Sequence, residues 1–208
     1  MTMFSHTMGD RLKLVAVDVE ATSLNPKKAH VVSAALIPIT DDLQIDYARA
    51  LVIDVPVEAS GESALIHGYT GVYGTEYARV ERLRLLFSLL EDKIMVTYTS
   101  YDACVLGEEA RRVGINVRLC YFDVLEMVLS TTWGKRFVMS HHRLTLEDVV
   151  RGLLGLEPVK RRFHDPLADA LYAALIYVHL VKAGIKPTKR CLRSKTNRLL
   201  GWLRNKLS

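Results

Sequence analysis

Residues Lys13 to Ala21 read KLVAVDVEA, and this run constrains the fold more than any other stretch of the chain. It is rich in β-branched apolar residues and has the length of a buried strand, closed by the turn signal Leu24-Asn25-Pro26. Alternation along a strand puts Leu14, Ala16, Asp18 and Glu20 on one face and Lys13, Val15, Val17 and Val19 on the other. Two acids therefore share a face at the end of an apolar strand, where they repel each other and lose hydration. A cation bound between them relieves both costs, and hard carboxylate oxygens suit Mg²⁺ or Mn²⁺. The plainer reading of an isolated D-x-E is a strand end emerging into solvent, so the motif gains meaning only in company.

Further along, His30 to Ile39, a turn at Thr40-Asp41-Asp42, and Ile45 to Ile53 continue an antiparallel three-strand meander. The segment Glu76 to Leu90 sets Tyr77, Val80, Leu83, Leu86, Phe87 and Leu90 at helical spacing. A short strand over Ile94 to Tyr98 follows. Then comes a helix capped by Ser100 and ended by Gly114, with Glu108, Glu109, Arg111 and Arg112 on its exposed side. Helices also fit Asp123 to Leu129, Leu144 to Leu154, and Pro166 to Ala183 with Asp165 as N-cap. Thr131 to Arg143 reads as one long irregular loop. Strands first and alternation afterwards predict an α/β fold, a mixed sheet flanked by helices.

Two more acids join the first pair. Asp169 heads a stripe with Tyr172, Ala173, Ile176 and Leu180, so it faces the core, while Asp165 already serves the helix start. His164 sits just before that helix, and its ordinary pKa near ~6.5 suits it to take a proton from water. Asp102 falls in the first turn of the helix after the short strand, a position where acids are common for dipole reasons alone. Three separate segments thus bring acids to strand ends or helix starts, where sheet-based folds hold their ligands.

These residues together resemble the DEDDh group of 3′→5′ exonucleases, the family of the proofreading subunit of bacterial replicative polymerase, ribonuclease T and the Trex nucleases. The resemblance covers roughly residues 12 to 182: VAVDVEATSLNP around Asp18 and Glu20, VTYTSYDACVL around Asp102, and HDPLADA with His164 and Asp169. Ile66 to Thr70, IHGYT, is similar to the family's HGIT stretch, and Asp123 in YFDVLEM to its D-T-L segment. Thr22-Ser23 departs from the usual T-G, Tyr98-Thr99 from the usual H-N, and Pro166 from a usual Ala. The resemblance implies a ribonuclease H-like fold whose mixed five-stranded sheet has its second strand reversed. It also implies two Mg²⁺ or Mn²⁺ ions held by Asp18, Glu20 and Asp169, with Asp102 supporting largely through water and His164 as general base. Contacts to the terminal nucleotide are implied at Thr22, Ser23, His67 and Tyr101. The implied substrate is a single-stranded or frayed 3′ end of DNA or RNA, and the implied product a nucleoside 5′-monophosphate. The alternative is a non-catalytic nucleic-acid-binding or polymerase-associated module retaining the fold.

Charge is divided along the chain. From Lys182 onward there are nine Lys or Arg and no acid, so the overall +5 conceals a body slightly acidic up to residue 181. An acidic body acting on a polyanion needs cations at its site. We divide the chain into a domain over 1–183 and a basic tail over 184–208. The tail's leucines, Leu192, Leu199, Leu203 and Leu207, stand in rough helical register beside Trp202. A docked helix, a nucleic-acid contact, and an anchor for a protein or anionic surface all remain open for it. Trp133, Lys135 and Arg136 form a second candidate nucleic-acid contact, with packing of the aromatic residues as the alternative. Three widely spaced cysteines and no membrane-length apolar run predict reduced thiols and a soluble, cytoplasmic protein, acting alone, as a homodimer, or with a polymerase or repair partner.

Overall fold

The computed structural model describes residues 13–57, 75–159 and 165–193. Strand β1 (Leu14–Ala21) lies mid-sheet, antiparallel to β2 (Val31–Ile39), which in turn pairs antiparallel with β3 (Leu51–Asp54). On its other edge β1 pairs parallel with β4 (Ile94–Thr97), and β4 pairs parallel with β5 (Arg118–Asp123). Relative to β1, only β2 is reversed among these five, as expected. A sixth strand, β6 (Lys189–Arg193), adds antiparallel to β5, giving the order β3-β2-β1-β4-β5-β6. The tail thus begins as an edge strand, with Leu192 half-buried against the core, while Leu199, Trp202, Leu203 and Leu207 lie outside the described residues.

Alternation along β1 sorts its side chains between two cores. Val15, Val17 and Val19 join the layer under α1 (Glu76–Leu90) and α2 (Tyr101–Arg112). Ala16 joins the opposite layer, with α3 (Val124–Ser130), α5 (Leu146–Leu154) and α6 (Pro166–Lys182). Each fully buried Val or Leu in these layers contributes roughly 1.5–3 kcal/mol of transfer free energy, which is why the strand tolerates so few polar positions.

Five expectations need correction. Ile45 to Ile53 is not one strand: Ile45 bridges Ile39, Tyr47–Arg49 forms a 3₁₀ turn, and pairing resumes only at Leu51. Thr131 to Arg143 is not a loop but holds helix α4 (Thr132–His141). Thr131 caps it by accepting from Gly134 N–H at 3.0 Å, and Trp133, Phe137 and His141 stack along one side. Gly134 is required there, since a Cβ would meet the Val128 carbonyl oxygen at 2.2 Å. In α1, Tyr77 is 75% exposed and Arg79 takes the buried position instead. Ser100 precedes α2 without a side-chain cap bond, and Glu109 is fully buried rather than on the exposed side.

The cysteines also differ from expectation. Cys120 and Cys191 are direct partners in the β5–β6 register and form a disulfide, leaving Cys104 as the free thiol. The pairing was invisible without β6. No helix among the described residues is long and apolar enough to cross a membrane.

Candidate active site

The parallel pairing of β1 with β4 runs only from Leu14↔Ile94 to Ala16↔Val96. Beyond it the two strands part, opening the kind of crevice at strand C-terminal ends where α/β sheets hold ligands. Just past that point β1 presents Asp18, half-buried, and Glu20, buried. Between Glu20 and Ala21 the β1–β2 register shifts, with Glu20 opposite Ser33 and Ala21 opposite Val31. The resulting irregularity turns the strand end beside the acids.

Helix α6 supplies the third carboxylate. Pro166 stands in its first turn, Asp165 caps it by accepting from Leu167 N–H at 3.0 Å, and Asp169, 6% exposed, faces the sheet. One oxygen from each of Asp18, Glu20 and Asp169 lies within 4.8 Å of the others. Three buried or half-buried carboxylates at that separation form a hard-oxygen donor set, which fits a divalent cation such as Mg²⁺ or Mn²⁺.

Asp102 enters from α2 on the other side of the gap. Its carboxylate accepts a hydrogen bond from Val19 N–H at 3.1 Å, taking up a β1 donor that β4 no longer reaches. Burial is the main cause that pushes its pKa up to about 7. The Val19 N–H and its own helix-start N–H oppose the rise, and Glu20 and Asp123 add to it. Asp102 is not one of the three converging acids but lines the same cavity.

That cavity, about 380 Å³, runs from the carboxylates past Thr22, Ser23 and Leu24 on one wall to Tyr98, Thr99 and Tyr101 on the other. Tyr101 donates its hydroxyl hydrogen to the Ser23 carbonyl oxygen, and burial beside Asp102, Glu20 and Asp18 pushes its pKa up to about 12. It therefore remains a neutral donor. Thr22 exchanges two bonds with His30: its N–H donates to the His30 carbonyl at 2.9 Å, and its Oγ1 accepts from His30 N–H at 2.9 Å.

The sequence-predicted residues Asp18, Glu20, Asp102, Asp169, Thr22, Ser23 and Tyr101 thus come together around one cavity. His164 and His67 lie outside the described residues. Trp133, Lys135 and Arg136 do not line the cavity. Trp133 packs against the core and over Gly152, where a Cβ would meet its ring at 2.2 Å, and Lys135 and Arg136 are exposed on α4.

Sequence reading missed the floor supplied by α5, namely Thr145, Leu146 and Glu147. Its signal was present as a capping box: Thr145 accepts from Asp148 N–H at 3.2 Å while Asp148 accepts from Thr145 N–H at 3.0 Å. It also missed the buried anchor behind the Thr22–His30 loop. Glu109 there is held by both Arg79 and Arg112, and lies 3.1 Å from His30 Nδ1. Arg79 also donates to the Pro56 carbonyl at 3.1 Å, and Arg112 to the Lys27 carbonyl at 2.6 Å.

The fold matches solved nuclease structures. Cell-death related nuclease 4 aligns with a TM-score of 0.63 and 18% identity, over 85% of this chain and 66% of that one. The nuclease domain of 3′hExo, a DEDDh family member bound to rAMP, aligns at 0.62 and 16%, over 85% of this chain and 95% of that one. E. coli exonuclease I in complex with a dT13 oligonucleotide aligns at 0.58 and 15%, over 81% of this chain and 40% of that one. These likenesses establish a ribonuclease H-like α/β fold, here with a six-stranded mixed sheet. No curated protein matches the chain in sequence. The RNase T family model, described as exonuclease, matches residues 15–177, from the first residues of β1 through most of α6, and the chain belongs to that exonuclease family.

Proposed function

We propose that the chain is a divalent-metal-dependent exonuclease that removes nucleotides from single-stranded or frayed 3′ ends, in the 3′→5′ direction. The observation that carries this reading is the convergence of Asp18, Glu20 and Asp169, whose oxygens lie within 4.8 Å of one another beside a cavity about the size of a nucleotide. In it, Asp18, Glu20 and Asp169 hold two divalent ions, with Asp102 in support. When bound, such ions offset the charge of the phosphodiester and stabilise the entering and departing oxygens of an in-line displacement.

The chain's own groups then have defined tasks. Thr22, Ser23 and Tyr101, with His67, hold the terminal nucleotide, and Leu24 and Leu146 offer apolar contact to its base and sugar. His164 takes a proton from the attacking water. The water oxygen bonds to phosphorus, the bond from phosphorus to the upstream 3′ oxygen breaks, and that oxygen takes up a proton. The products are a nucleoside 5′-monophosphate and a strand with a new 3′-hydroxyl. The likeness to exonuclease I with a dT13 oligonucleotide and to a 3′-exonuclease recognising a histone mRNA stem-loop supports a nucleic-acid substrate, DNA or RNA.

A gel assay on 5′-labelled single-stranded DNA and RNA of matched sequence tests it, with Mg²⁺, Mn²⁺ or EDTA, for wild type beside His164→Ala and Asp18→Asn. A ladder shortening from the 3′ end, dependent on metal and lost in both variants, is expected. Metal-independent cleavage, or retained turnover in Asp18→Asn, overturns the reading.

A further inference from the structure

A second cavity, about 630 Å³, lies on the far side of the loop that walls the catalytic one. The two share that loop in succession: Thr22, Ser23 and Leu24 line the first, Asn25, Pro26 and Lys27 the second. The loop is held along helix α2 at both ends. Tyr101, at the helix start, donates to the Ser23 carbonyl, and Arg112, at its end, donates to the Lys27 carbonyl. Between those points Asn25 forms a tight turn, its side chain accepting from Lys27 N–H at 3.1 Å and its carbonyl from Lys28 N–H at 2.9 Å. Leu24, 87% exposed, stands on the ridge between the cavities.

The second cavity has an apolar base and a cationic rim. Its base is formed by Cys104, Gly107, Leu119 and Leu192, and its rim carries Lys27, Arg111 and Arg193. The one acid, Glu108, is already bonded to Arg111, at 2.9 Å to Nε and 2.8 Å to Nη2. Lys27 and Arg193 therefore dominate the charge of a rim that stands on a slightly acidic body. Cations that track the phosphates hold single-stranded nucleic acid without reading sequence, and the aliphatic base of this cavity gives base faces an apolar surface to pack on.

We propose that this cavity binds the substrate strand upstream of its 3′-terminal nucleotide, the strand crossing the Leu24 ridge from one cavity to the other. The proposal rests on the exonuclease reading only in taking the occupant to be a nucleic-acid strand. Strand β6 contributes Leu192 and Arg193, so the edge strand fixed by the Cys120–Cys191 disulfide becomes part of the binding surface. Long substrates engage both cavities; a mononucleotide ester engages the catalytic one alone.

Two variants and a thiol footprint test this in the full chain. A Cβ at Gly107 would meet only Leu192 Cδ1, at 3.9 Å, so Gly107→Leu fills the cavity from a helix position that favours a side chain over glycine. Arg193→Glu reverses a rim charge on the exposed edge. Each variant is expected to raise KM for a thymidylate dodecamer by about tenfold. Turnover of the dodecamer at saturation, and hydrolysis of a chromogenic ester of thymidine 5′-monophosphate, are expected to stay at wild-type values. In the inactive Asp18→Asn protein with Mg²⁺, the dodecamer should slow maleimide labelling of Cys104, and a dinucleotide should not. Labelling is done at alkaline pH, because burial holds this thiol above its ordinary value. Equal losses on ester and dodecamer, an unchanged KM, or labelling indifferent to the dodecamer each overturn the second site. If wild type splits neither substrate, the exonuclease reading fails, and Cys104 protection alone decides whether a strand lies here.

Discussion

Asp102 accepts the Val19 N–H at 3.1 Å, so a carboxylate from α2 holds the strand that carries Asp18 and Glu20. Two roles are thereby combined, a backbone acceptor and a negative charge, and substitution separates them. Asp102→Asn keeps an oxygen acceptor and removes the charge, so it should fold with near wild-type stability yet lose about 10–100-fold in metal-dependent activity, the usual scale for a supporting group at a metal site. Asp102→Ala should in addition lose about 1–3 kcal/mol in urea denaturation, because Val19 N–H is left buried without its acceptor. Full activity in Asp102→Asn would show that only the hydrogen bond matters.

Convergence of Asp18, Glu20 and Asp169 within 4.8 Å makes a prediction about metal and stability together. Like charges so close disfavour the folded metal-free protein, and an ion that binds only the folded state adds about 2.7 kcal/mol at a hundred times its dissociation constant. Mg²⁺ should therefore raise the melting temperature of the wild type. Asp18→Asn should melt at or above the metal-free wild-type temperature and gain little from Mg²⁺. A melting curve with and without EDTA checks both; an equal metal response in the variant would remove Asp18 from the donor set.

What was legible in the sequence was what a short period can encode. The alternation of Lys13 to Ala21 located two acids on one strand face, and the three-four spacing from Asp169 located a third on a core-facing helix stripe. What was not legible depended on partners distant in the chain. Glu109 read as a solvent-facing member of a charge run, because nothing local announces that Arg79, thirty positions earlier, enters the core to meet it. Strand β6 was hidden for the same reason. KRCLR is too basic to look like a strand, and its pairing with β5 carries the register. Helix α4 was lost because Gly134 and its polar neighbours read as a loop, whereas that glycine serves close contact with α3.

The Glu109 anchor should be costly to break from one side. Its carboxylate is fully buried and holds Arg79 and Arg112, which in turn bond the Val31, Pro56 and Lys27 carbonyls. Removing one partner of a buried ionic group strands the others, at about 3–5 kcal/mol. Glu109→Ala should show that loss in urea denaturation, and a loss below about 1 kcal/mol would mean that water replaces the carboxylate.

His30 gives this anchor a pH dependence. Contact with Glu109 at 3.1 Å would by itself raise the histidine's pKa, yet burial first, then Arg112 and Arg79, hold it below its ordinary 6.5. The lowering prevails because burial, its largest cause, is reinforced by the two guanidinium groups. A histidine lowered on folding binds fewer protons folded than unfolded. Its stabilisation is therefore complete above 6.5 and is lost as pH falls through the folded value. Urea midpoints should decline on acidification from 6.5 to the folded value and level off below it, and His30→Asn should flatten the decline. The effect should be modest, since the ring is 45% exposed and solvent screens it. An unaltered slope in the variant would assign the decline to other groups.

The disulfide is the last test, and it links stability to the second cavity. Cys120 and Cys191 are 71 positions apart, so the bond closes a long loop and restricts the unfolded chain strongly. Cys191→Ser should cost about 2–4 kcal/mol, and a thiol reductant should lower wild-type stability to the same level while leaving the variant unchanged. Because β6 supplies Leu192 and Arg193 to the second cavity, the same loss should raise KM for a dodecamer and spare the mononucleotide ester. Cys104 should be the one thiol alkylated in the unreduced protein and one of three after reduction, read by mass spectrometry. Three alkylated thiols without reductant would mean that β6 is held by its backbone pairing and Leu192 alone, and the dodecamer effect of Cys191→Ser should then vanish with the stability effect.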